Sequence, residues 1–520
     1  MINLIEIKNL TISKKSEKLI SGSDFNIHKG EVVGLFGDSG SGKSVFSYFL
    51  MGFLNRKVFS VTADSAIFNN TNGCFNFLSN NDEDWCSLRG GDVSMVFQNP
   101  STSLNPTMIC GKQIKEACSF VGVKDNLDYC FGLLKDVGIL FPEKVYFSYP
   151  HELSGGQKQR VVIAIALASK PSLLIADEPT TSLDPSTQRA VLDLILKLKN
   201  NYNLSVLLIS HNIDLINYYC NRVYLFKNSS FINVGKPSSS SLFSDLYKML
   251  NIIKTRSRFN SFNIDSYGFY KKFIKKNEKK DSVLFDIKKL SVSYKTKGDG
   301  LFFALKNISF SVGWGECLGV VGSSGSGKTT LGRILCGLHN SFTGDFIYPN
   351  NRFFLKNSVQ MVYQDPYSSF NPKYTVGNSV SEIVDLYKTN YLVSDLFNLV
   401  SLKEELINMY PHELSGGQKQ RVSIARVLAS NPDVIVFDES ISALDIKTQL
   451  SILELIRFIN SVLKITIIFI SHDINSIYYL CNKVIVLKNG EIIDFVNSKN
   501  LLLDGVNNYT KQLINDTNFI

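Results

Sequence analysis

The chain lacks the long apolar stretches and paired cysteines that would indicate a membrane-spanning or secreted protein. Its longest uninterrupted apolar run, from Val161 to Ala168, is far shorter than the ~20 residues that a membrane-spanning helix needs. The first residues, MINLIEIKNL, have neither the basic start nor the apolar stretch of a signal peptide. Nine cysteines occur without any CxxC spacing, which is typical of reduced thiols in the cytosol.

A surplus of basic residues gives the chain a net charge of +9. Basic residues are densest in KKFIKKNEKK, from Lys271 to Lys280. This stretch and a run of four serines, Ser238 to Ser241, lie between two sequence repeats, where a solvated linker is expected. We predict a short helix near Leu242 to Ile253 within it. The alternative interpretation is that this basic stretch binds acidic lipid headgroups or RNA. We favour the linker and expect no nucleic-acid partner.

One constellation of motifs occurs twice. The first copy is GDSGSGKS (Gly37 to Ser44), LSGGQKQR (Leu153 to Arg160), LLIADEPT (Leu173 to Thr180) and ISHN (Ile209 to Asn212). The second copy is GSSGSGKT (Gly322 to Thr329), LSGGQKQR (Leu414 to Arg421), VIVFDES (Val434 to Ser440) and ISHD (Ile470 to Asp473). The repeat predicts a first domain over residues 1–235, a linker over 236–282 and a second domain over 283–520.

Each glycine-rich motif follows a short apolar strand and precedes a helix pattern, which is the context that a phosphate-binding P-loop requires. The glycines allow backbone amides to turn inward around phosphate oxygens. Lys43 and Lys328 can then reach the outer phosphates, and the hydroxyls of Ser44 and Thr329 can ligate Mg²⁺. The predicted nucleotide-binding loops are Gly37, Asp38, Ser39, Gly40, Ser41, Gly42, Lys43 and Ser44, and Gly322, Ser323, Ser324, Gly325, Ser326, Gly327, Lys328 and Thr329.

Two further strands end in paired carboxylates. In open α/β sheets, ligands sit at the carboxyl ends of the strands, so Asp177 and Asp438 are predicted in the Mg²⁺ shell. Glu178 and Glu439 follow directly and can polarise the water that attacks the γ-phosphate. His211 and His472 end another buried strand, and their recurrence at matching spacing favours a γ-phosphate contact over a purely structural role. The chain is therefore predicted to bind ATP with Mg²⁺ and to hydrolyse it at two sites.

LSGGQ has capping-box spacing at a helix start, and its bare glycines expose amides and the positive end of the helix dipole. Between a P-loop and a DE strand it resembles the signature of ABC ATPases. The resemblance implies that each signature closes on the nucleotide of the other half, so that Lys43, Glu178 and His211 join the second signature, and Lys328, Glu439 and His472 join the first. It adds Ser154, Gly155, Gly156 and Gln157, and Ser415, Gly416, Gly417 and Gln418, to the predicted nucleotide-binding residues. SLD (Ser182 to Asp184) and SALD (Ser442 to Asp445) resemble the loops that couple the two sites.

The resemblance extends to the dipeptide and oligopeptide importer ATPases, including the fused microcin-C-type ones. It is carried by VFQNPSTSLNP (Val96 to Pro106), VYQDPYSSFNP (Val362 to Pro372) and YTKQL (Tyr509 to Leu513). It implies that Gln98 and Gln364 sense the γ-phosphate, the metal and water. It also implies two membrane permeases as direct partners, a substrate-binding protein as an indirect one, and a peripheral location on the cytoplasmic face of the bacterial inner membrane.

The expected architecture is α/β, with two tandem P-loop ABC ATPase domains, each having a mostly parallel core sheet, an antiparallel β subdomain and a helical subdomain with the signature. Tyr294 stands where that family stacks an aromatic ring on adenine, whereas the first half has Lys14. Lys43 to Gln98 is a longer span than Lys328 to Gln364, so the second half has lost part of the antiparallel region. The cysteine positions predict no iron–sulfur or zinc centre.

P-loop chemistry alone does not separate an importer from an exporter ATPase or from a soluble twin-ABC factor acting on ribosomes. The segments that flank the Q-loops favour the importer. Dipeptides, longer peptides, peptide antibiotics and nickel complexes remain open as the transported substrate.

Overall fold

The computed structural model describes residues 2–38, 41–70, 73–79, 81–120, 127–180, 183–236, 273, 283–295, 301–348, 358–366, 369–442, 444–501 and 506–517. These residues form two compact units, one up to residue 236 and one from residue 273 onward. The predicted helix near Leu242 to Ile253, and all of the predicted linker except Lys236 and Phe273, lie outside the described residues. Phe273 is buried in the core of the second unit, with its ring centroid 4.7 Å from that of Tyr391.

The core of the first unit is a six-stranded sheet in the order β11-β10-β3-β9-β8-β7, parallel except for β11 at one edge. Its strands are β3 (Val32–Phe36), β7 (Val93–Val96), β8 (Leu173–Asp177), β9 (Ser205–Ser210), β10 (Arg222–Lys227) and β11 (Ser230–Gly235). Strands β3, β7, β8 and β9 are buried along their whole length. Continuous apolar strands of this kind are expected in a parallel sheet that helices cover on both faces.

An antiparallel sheet packs beside this core, in the order β2-β1-β5-β6 with β4 also paired to β1. Its strands are β1 (Asn3–Lys14), β2 (Glu17–His28), β4 (Phe59–Thr62), β5 (Ser65–Asn70) and β6 (Gly73–Asn76). Buried and exposed residues alternate along much of β1 and β2, as expected for a sheet with one face on the core and one towards solvent.

The α-helices of the first unit are Lys43–Leu50, Asp82–Ser87, Pro100–Ser103, Cys110–Phe120, Leu127–Asp136, Pro142–Phe147, Gly155–Leu167, Pro185–Tyr202 and Ile213–Tyr219. A π-helix, Leu88–Asp92, and a 3₁₀-helix, Pro150–Glu152, complete the described helices. Helices Cys110–Phe120 and Leu127–Asp136 pack on Gly155–Leu167, and Pro142–Phe147 packs on the first two. They form the helical subdomain that carries the signature.

The second unit repeats this plan. Its core sheet has the order β16-β17-β18-β14-β19-β20 and its antiparallel sheet the order β13-β12-β15. The strands are β12 (Val283–Lys295), β13 (Leu301–Gly313), β14 (Cys317–Val321), β15 (Thr343–Ile347), β16 (Val359–Val362), β17 (Val434–Asp438), β18 (Thr466–Ile470), β19 (Lys483–Lys488) and β20 (Glu491–Asn497). The α-helices are Lys328–Leu335, Val376–Tyr387, Val393–Leu399, Gly416–Ala429, Ile446–Ser461, Ile474–Leu480 and Asn508–Thr517, and the 3₁₀-helices are Glu404–Asn408, Pro411–Glu413 and Ser498–Asn500.

The predicted fold class is confirmed in both units, each of which has the core sheet, the antiparallel sheet and the helical subdomain. The antiparallel sheet of the second unit has three described strands where that of the first unit has five, in line with its shorter span between P-loop and Q-loop. Within the described part of the chain, no helix combines the length and apolar character needed to cross a bilayer.

Candidate functional site

The order of the parallel strands brings the sequence-predicted residues to one edge of each sheet. In the first unit β3, β9, β8 and β7 are consecutive neighbours. Their carboxyl ends lead to the P-loop, to His211, to the Asp177–Glu178 pair and to Gln98, respectively. Strands β14, β18, β17 and β16 arrange the second unit in the same way. Motifs far apart in sequence therefore converge because parallel strands end at a common edge.

Each P-loop holds its lysine by backbone carbonyls. Lys43 Nζ donates to the carbonyl oxygens of Gly37 at 2.9 Å and Asp38 at 2.8 Å. Lys328 Nζ donates to Gly322 at 2.9 Å and Ser323 at 3.0 Å. The lysines are buried at the start of their helices and form part of a closed loop. Ser39 and Gly40 of the predicted set lie outside the described residues.

Glycine is required just before the second P-loop lysine. Gly327 has φ of 103°, and a Cβ there would lie 2.4 Å from the carbonyl oxygen of Ala304. Both the left-handed backbone and the close approach of β13 exclude a larger residue. This explains the motif's glycine by local packing in addition to phosphate access.

In the first unit the glutamate, glutamine and histidine predicted from sequence are in direct contact. Gln98 Nε2 donates to Glu178 Oε2 at 2.9 Å, and His211 Nδ1 lies 3.1 Å from Glu178 Oε1. Each oxygen of the Glu178 carboxylate thus lies close to a residue predicted from the sequence. The side chains of Glu178 and His211 are each 13% exposed, so the carboxylate is largely shielded but reachable.

The second unit builds the same cluster, and its P-loop lysine lies close to the glutamate. Gln364 Nε2 donates to Glu439 Oε2 at 3.3 Å, and His472 Nδ1 lies 3.4 Å from the same oxygen. Lys328 Nζ lies 3.5 Å from Glu439 Oε1. Burial opposes ionisation of Glu439, but its hydrogen bond to His472 and the positive charges of His472 and Lys328 outweigh burial and lower its pKa to about 2.

Both glutamates adopt a backbone conformation that is rare for residues with a side chain. Glu178 has φ of 47° and Glu439 has φ of 45°. Their amides donate to the carbonyl oxygens of Ile209 at 3.0 Å and Ile470 at 2.9 Å, which ties them to the neighbouring strand. A left-handed conformation held in this way, and repeated in both halves, is typical of functional sites.

The preceding aspartates are buried beside P-loop helix hydroxyls. Thr329 Oγ1 donates to Asp438 Oδ1 at 3.2 Å, and Ser47 Oγ donates to Asp177 Oδ2 at 3.3 Å. Burial, reinforced by the adjacent glutamate's negative charge, raises the pKa of both Asp177 and Asp438. Neighbouring carboxylate and hydroxyl oxygens are the donors that Mg²⁺ prefers, so these residues fit the predicted metal.

Ser47 is a contact that the sequence reasoning missed. It lies one helical turn after Ser44 and therefore on the same helix face, and this spacing was the available signal. Neither unit shows, within its described residues, a cluster of three or more His, Cys, Asp or Glu side chains suited to a metal.

The signature motifs form the predicted capped helices. Ser154 Oγ accepts from Gln157 N at 3.3 Å, and Gln157 Oε1 accepts from Ser154 N at 3.0 Å. Ser415 and Gln418 form the same reciprocal pair at 3.3 and 2.9 Å. The capping box leaves the amides of the following glycines at the positive end of the helix dipole.

The second signature glycine also packs closely against the next motif. A Cβ at Gly156 would lie 2.9 Å from Thr187 Cγ2, and one at Gly417 would lie 2.5 Å from Thr448 Cγ2. These threonines belong to helices capped by Asp184 and Asp445, whose carboxylates accept from the threonine amides at 3.1 and 3.0 Å. Within each unit the signature therefore packs against the first turn of the helix that follows the predicted coupling loop.

The two positions predicted to lie beside adenine carry different side chains in different surroundings. Tyr294 is 41% exposed, and its ring centroid lies 5.4 Å from that of His339. Lys14 occupies the matching end of β1, with Nζ 6.0 Å from the ring centroid of Phe59, its cross-strand partner. A partly exposed aromatic ring is therefore present at this position in the second unit, and a cation is present there in the first.

Comparison with known families accounts for this arrangement. The ABC transporter family model matches residues 20–181 and again residues 305–442. The two matched regions cover the P-loop, signature and Asp–Glu motif of each half. The chain belongs to the ABC transporter family, with two ATPase domains in one polypeptide, and ATP hydrolysis is the activity of such domains.

Relatives match over nearly the whole chain. The peptidoglycan transport ATP-binding protein YejF of Agrobacterium fabrum is 32% identical, with 94% of this chain and 91% of the relative covered. The glutathione import ATP-binding protein GsiA of Salmonella typhimurium is also 32% identical, with 94% and 84% covered. An uncharacterised Escherichia coli ABC transporter ATP-binding protein, also named YejF, is 31% identical, with 98% and 99% covered. The prediction of a fused double ATPase of the importer group is confirmed.

A solved structure shares the fold at lower identity. An RNase-L inhibitor structure aligns with a TM-score of 0.59 at 21% identity, with 93% of this chain and 88% of the other covered. At this identity the likeness supports a common fold alone.

Proposed function

We propose that this chain is the energy-coupling subunit of a bacterial importer for peptides or related small substrates. The observation that carries the proposal is the match to ATP-binding proteins of transport systems over 94% to 98% of the chain. The glutamine–glutamate–histidine cluster present in both units supports its ATPase part. Two of the matching proteins are named for peptidoglycan transport and glutathione import. Peptide-derived molecules are the substrate class that these names share with the sequence resemblance.

At each site the P-loop amides and lysine would hold the phosphates of ATP. Glu178 and Glu439 would orient and polarise the attacking water, while His211 and His472, each within 3.1 to 3.4 Å of its glutamate, would contact the γ-phosphate. Hydrolysis of this kind depends on positioning and charge neutralisation, and these residues would supply both. Gln98 and Gln364 would respond to γ-phosphate binding. Each donates a hydrogen bond to the glutamate beside the proposed γ-phosphate position, and the bound phosphate would alter that bond.

Ser44 and Asp177 in the first unit, and Thr329 and Asp438 in the second, would hold Mg²⁺ together with Gln98 and Gln364. When bound, the metal would neutralise phosphate charge. The raised pKa of each aspartate reflects a buried carboxylate without sufficient compensating positive charge. A divalent cation beside it would supply that charge.

We propose that each nucleotide is completed by the signature of the other half. Ser154 and Ser415 cap their helices, and this keeps the adjacent glycine amides at an anion-attracting helix end. The Asp184 and Asp445 segments touch the signatures through Thr187 and Thr448. When a signature closes on one nucleotide, the movement would therefore reach the Asp184 or Asp445 segment, which is proposed to couple the two sites.

Permease contacts are proposed at a cleft between the core and the helical subdomain. In the first unit this cleft, of about 260 Å³, includes Phe53, Arg89 and Phe97 in its lining. The two phenylalanine rings stack at 6.5 Å, and the Arg89 guanidinium lies 5.6 Å from the Phe53 ring centroid. Phe97 directly precedes Gln98, so a permease segment in this cleft would act next to the γ-phosphate sensor.

The second unit presents matching apolar residues. Leu338 is 56% exposed and Tyr363, directly before Gln364, is 40% exposed. One such surface in each half suits two permeases, which would hold the chain peripherally at the cytoplasmic face of the inner membrane. A contiguous patch of exposed apolar side chains is a common mark of an interaction surface.

The test is a tagged pull-down from detergent-solubilised membranes, with bound proteins identified by mass spectrometry. Two multi-span permeases should co-purify with the wild type and should be lost from a Phe53→Glu/Phe97→Glu variant that still binds ATP. Tyr218→Glu, which changes an exposed aromatic residue elsewhere in the same unit, should retain them. Ribosomal proteins without a permease would overturn the importer proposal and favour a role in translation.

A further inference from the structure

The second P-loop is in contact with the end of the chain. Tyr509 lies on the last described helix, Asn508–Thr517. The backbone amide of Ser323 donates to Tyr509 Oη at 3.1 Å, and the Tyr509 hydroxyl donates to Ser323 Oγ at 3.0 Å. One phenol group therefore bonds the main chain and the side chain of the same P-loop residue.

Tyr509 is itself held in place from several sides. The amide of Asn507 donates to Asp494 Oδ2 at 3.0 Å, and the Thr510 hydroxyl bonds the same carboxylate. Leu513, further along the helix, is buried in the core of the second unit. Lys488 Nζ lies 4.6 Å from the Tyr509 ring centroid, within the range of a cation–π contact. The phenol thus reaches the P-loop from a fixed support.

The bonded serine in turn positions the P-loop lysine. The Ser323 carbonyl accepts from Lys328 Nζ at 3.0 Å, so a short chain of hydrogen bonds runs from Tyr509 through Ser323 to Lys328. We propose that Tyr509 is a positioning residue of the second nucleotide site, which holds the P-loop in the shape that receives phosphate. The inference rests on the proposed role of Lys328 and does not depend on the transported substrate.

A loop that already has its ligand-bound conformation loses less conformational entropy when the ligand binds, so binding is stronger. Loss of the Tyr509 hydroxyl should therefore weaken ATP binding at the second site. The first P-loop has Asp38 at the position of Ser323 and consequently lacks a hydroxyl acceptor there. The effect should be confined to the second site.

The experiment compares Tyr509→Phe in two full-length backgrounds by equilibrium dialysis with radiolabelled ATP and Mg²⁺. Lys43→Ala leaves the second P-loop intact, and Lys328→Ala leaves the first. We expect Tyr509→Phe to weaken ATP binding about threefold to tenfold in the Lys43→Ala background, as loss of neutral hydrogen bonds predicts, and to have no effect in the Lys328→Ala background. In steady-state hydrolysis by the otherwise unmodified chain, KM should rise while kcat changes little.

Two further variants separate positioning from general destabilisation. Tyr479→Phe removes a buried hydroxyl that has no hydrogen-bond partner among the described residues, and it should leave ATP binding unchanged. Ser323→Ala should weaken binding by less than Tyr509→Phe, and the two changes together should be less than additive because they break a shared contact.

Unchanged ATP binding in the Lys43→Ala background, or an equal loss in both backgrounds, would overturn the role of Tyr509. If Lys328→Ala removes no ATP site, the assignment of the second P-loop as a nucleotide site is wrong. The role of Tyr509, which depends on that assignment, is then wrong as well. A loss with Tyr479→Phe as large as that with Tyr509→Phe would show general destabilisation and would also overturn the proposal.

Discussion

Lys328 Nζ lies 3.5 Å from Glu439 Oε1, so the cation proposed to hold the outer phosphates is paired with the carboxylate proposed to activate water. Both side chains are largely buried, at 5% and 19% exposure. An incoming γ-phosphate would compete with Glu439 for Lys328. Binding of ATP would thereby free the glutamate carboxylate for its bond with water.

Glu439→Gln should therefore bind ATP more tightly and hydrolyse it far more slowly. The substitution removes the negative charge that competes for Lys328, and it also removes the general base, whose contribution to rate is typically on the order of 100-fold or more. ATP affinity by dialysis and phosphate release in single-turnover experiments would measure both effects. A variant that hydrolyses ATP at the wild-type rate would contradict the role of Glu439.

Glu178→Gln should lower total ATP turnover by less than Glu439→Gln when ATP is limiting. The first site has Lys14 where the second has Tyr294, and a cation does not stack on adenine as a ring does. The second site should consequently carry more of the turnover at low ATP concentration. Equal losses in the two variants would show that Lys14 does not mark a weaker site.

Lys14→Tyr should strengthen ATP binding at the first site. Aromatic stacking adds about 0.5 to 1.5 kcal/mol, which corresponds to roughly twofold to tenfold in affinity. The measurement is ATP dialysis in the Lys328→Ala background, and Tyr294→Lys in the Lys43→Ala background is the matched reverse change. No gain from Lys14→Tyr would indicate that another residue, such as Phe59 beside it, already contacts the base.

Gly417→Ala should lower the thermal stability of the second unit and slow ATP hydrolysis. The new Cβ would lie 2.5 Å from Thr448 Cγ2, which is closer than packed carbon atoms approach, and overpacking costs about 1 to 3 kcal/mol. Thr448→Ser removes that methyl group and retains the hydroxyl that bonds Asp445 at 2.9 Å. The double variant should recover stability in a melting experiment, and failure to recover would contradict the packing explanation.

The stability of the second unit should depend on the charge of Glu439. Its pKa is lowered from 4.5 to about 2, so the ionised form stabilises the folded protein. This contribution is complete above about pH 4.5 and is lost as the pH falls towards about 2. The urea midpoint of the wild type should fall more steeply than that of Glu439→Gln as the pH is lowered from 4.5, and parallel curves would contradict the shift.

The sequence predicted those parts of the site that reside in short motifs. Strand–loop–helix context located Lys43 and Lys328, and apolar strands that end in Asp–Glu located Glu178 and Glu439, because these signals are local. The antiparallel sheet followed from resemblance, and its smaller described size in the second unit followed from the shorter span before Gln364. Pairing of each P-loop with the signature of the other half remains a prediction.

Contacts that depend on tertiary packing were not predictable in this way. The bond from Tyr509 to Ser323 joins residues 186 positions apart, and no local pattern indicates it. The left-handed backbone of Glu178 and Glu439 accompanies hydrogen bonds from their amides to a neighbouring strand. Pairing of Lys14 with Phe59 depends on the register of β1 and β4, which the sequence pattern does not fix.

The most direct test of the account counts ATP molecules bound per chain in a Glu178→Gln/Glu439→Gln variant with Mg²⁺, by equilibrium dialysis with radiolabelled ATP. We predict two ATP molecules per chain, falling to one when either Lys43→Ala or Lys328→Ala is added. Binding of a single ATP by the double glutamine variant, or binding that neither lysine substitution reduces, would contradict the two-site account.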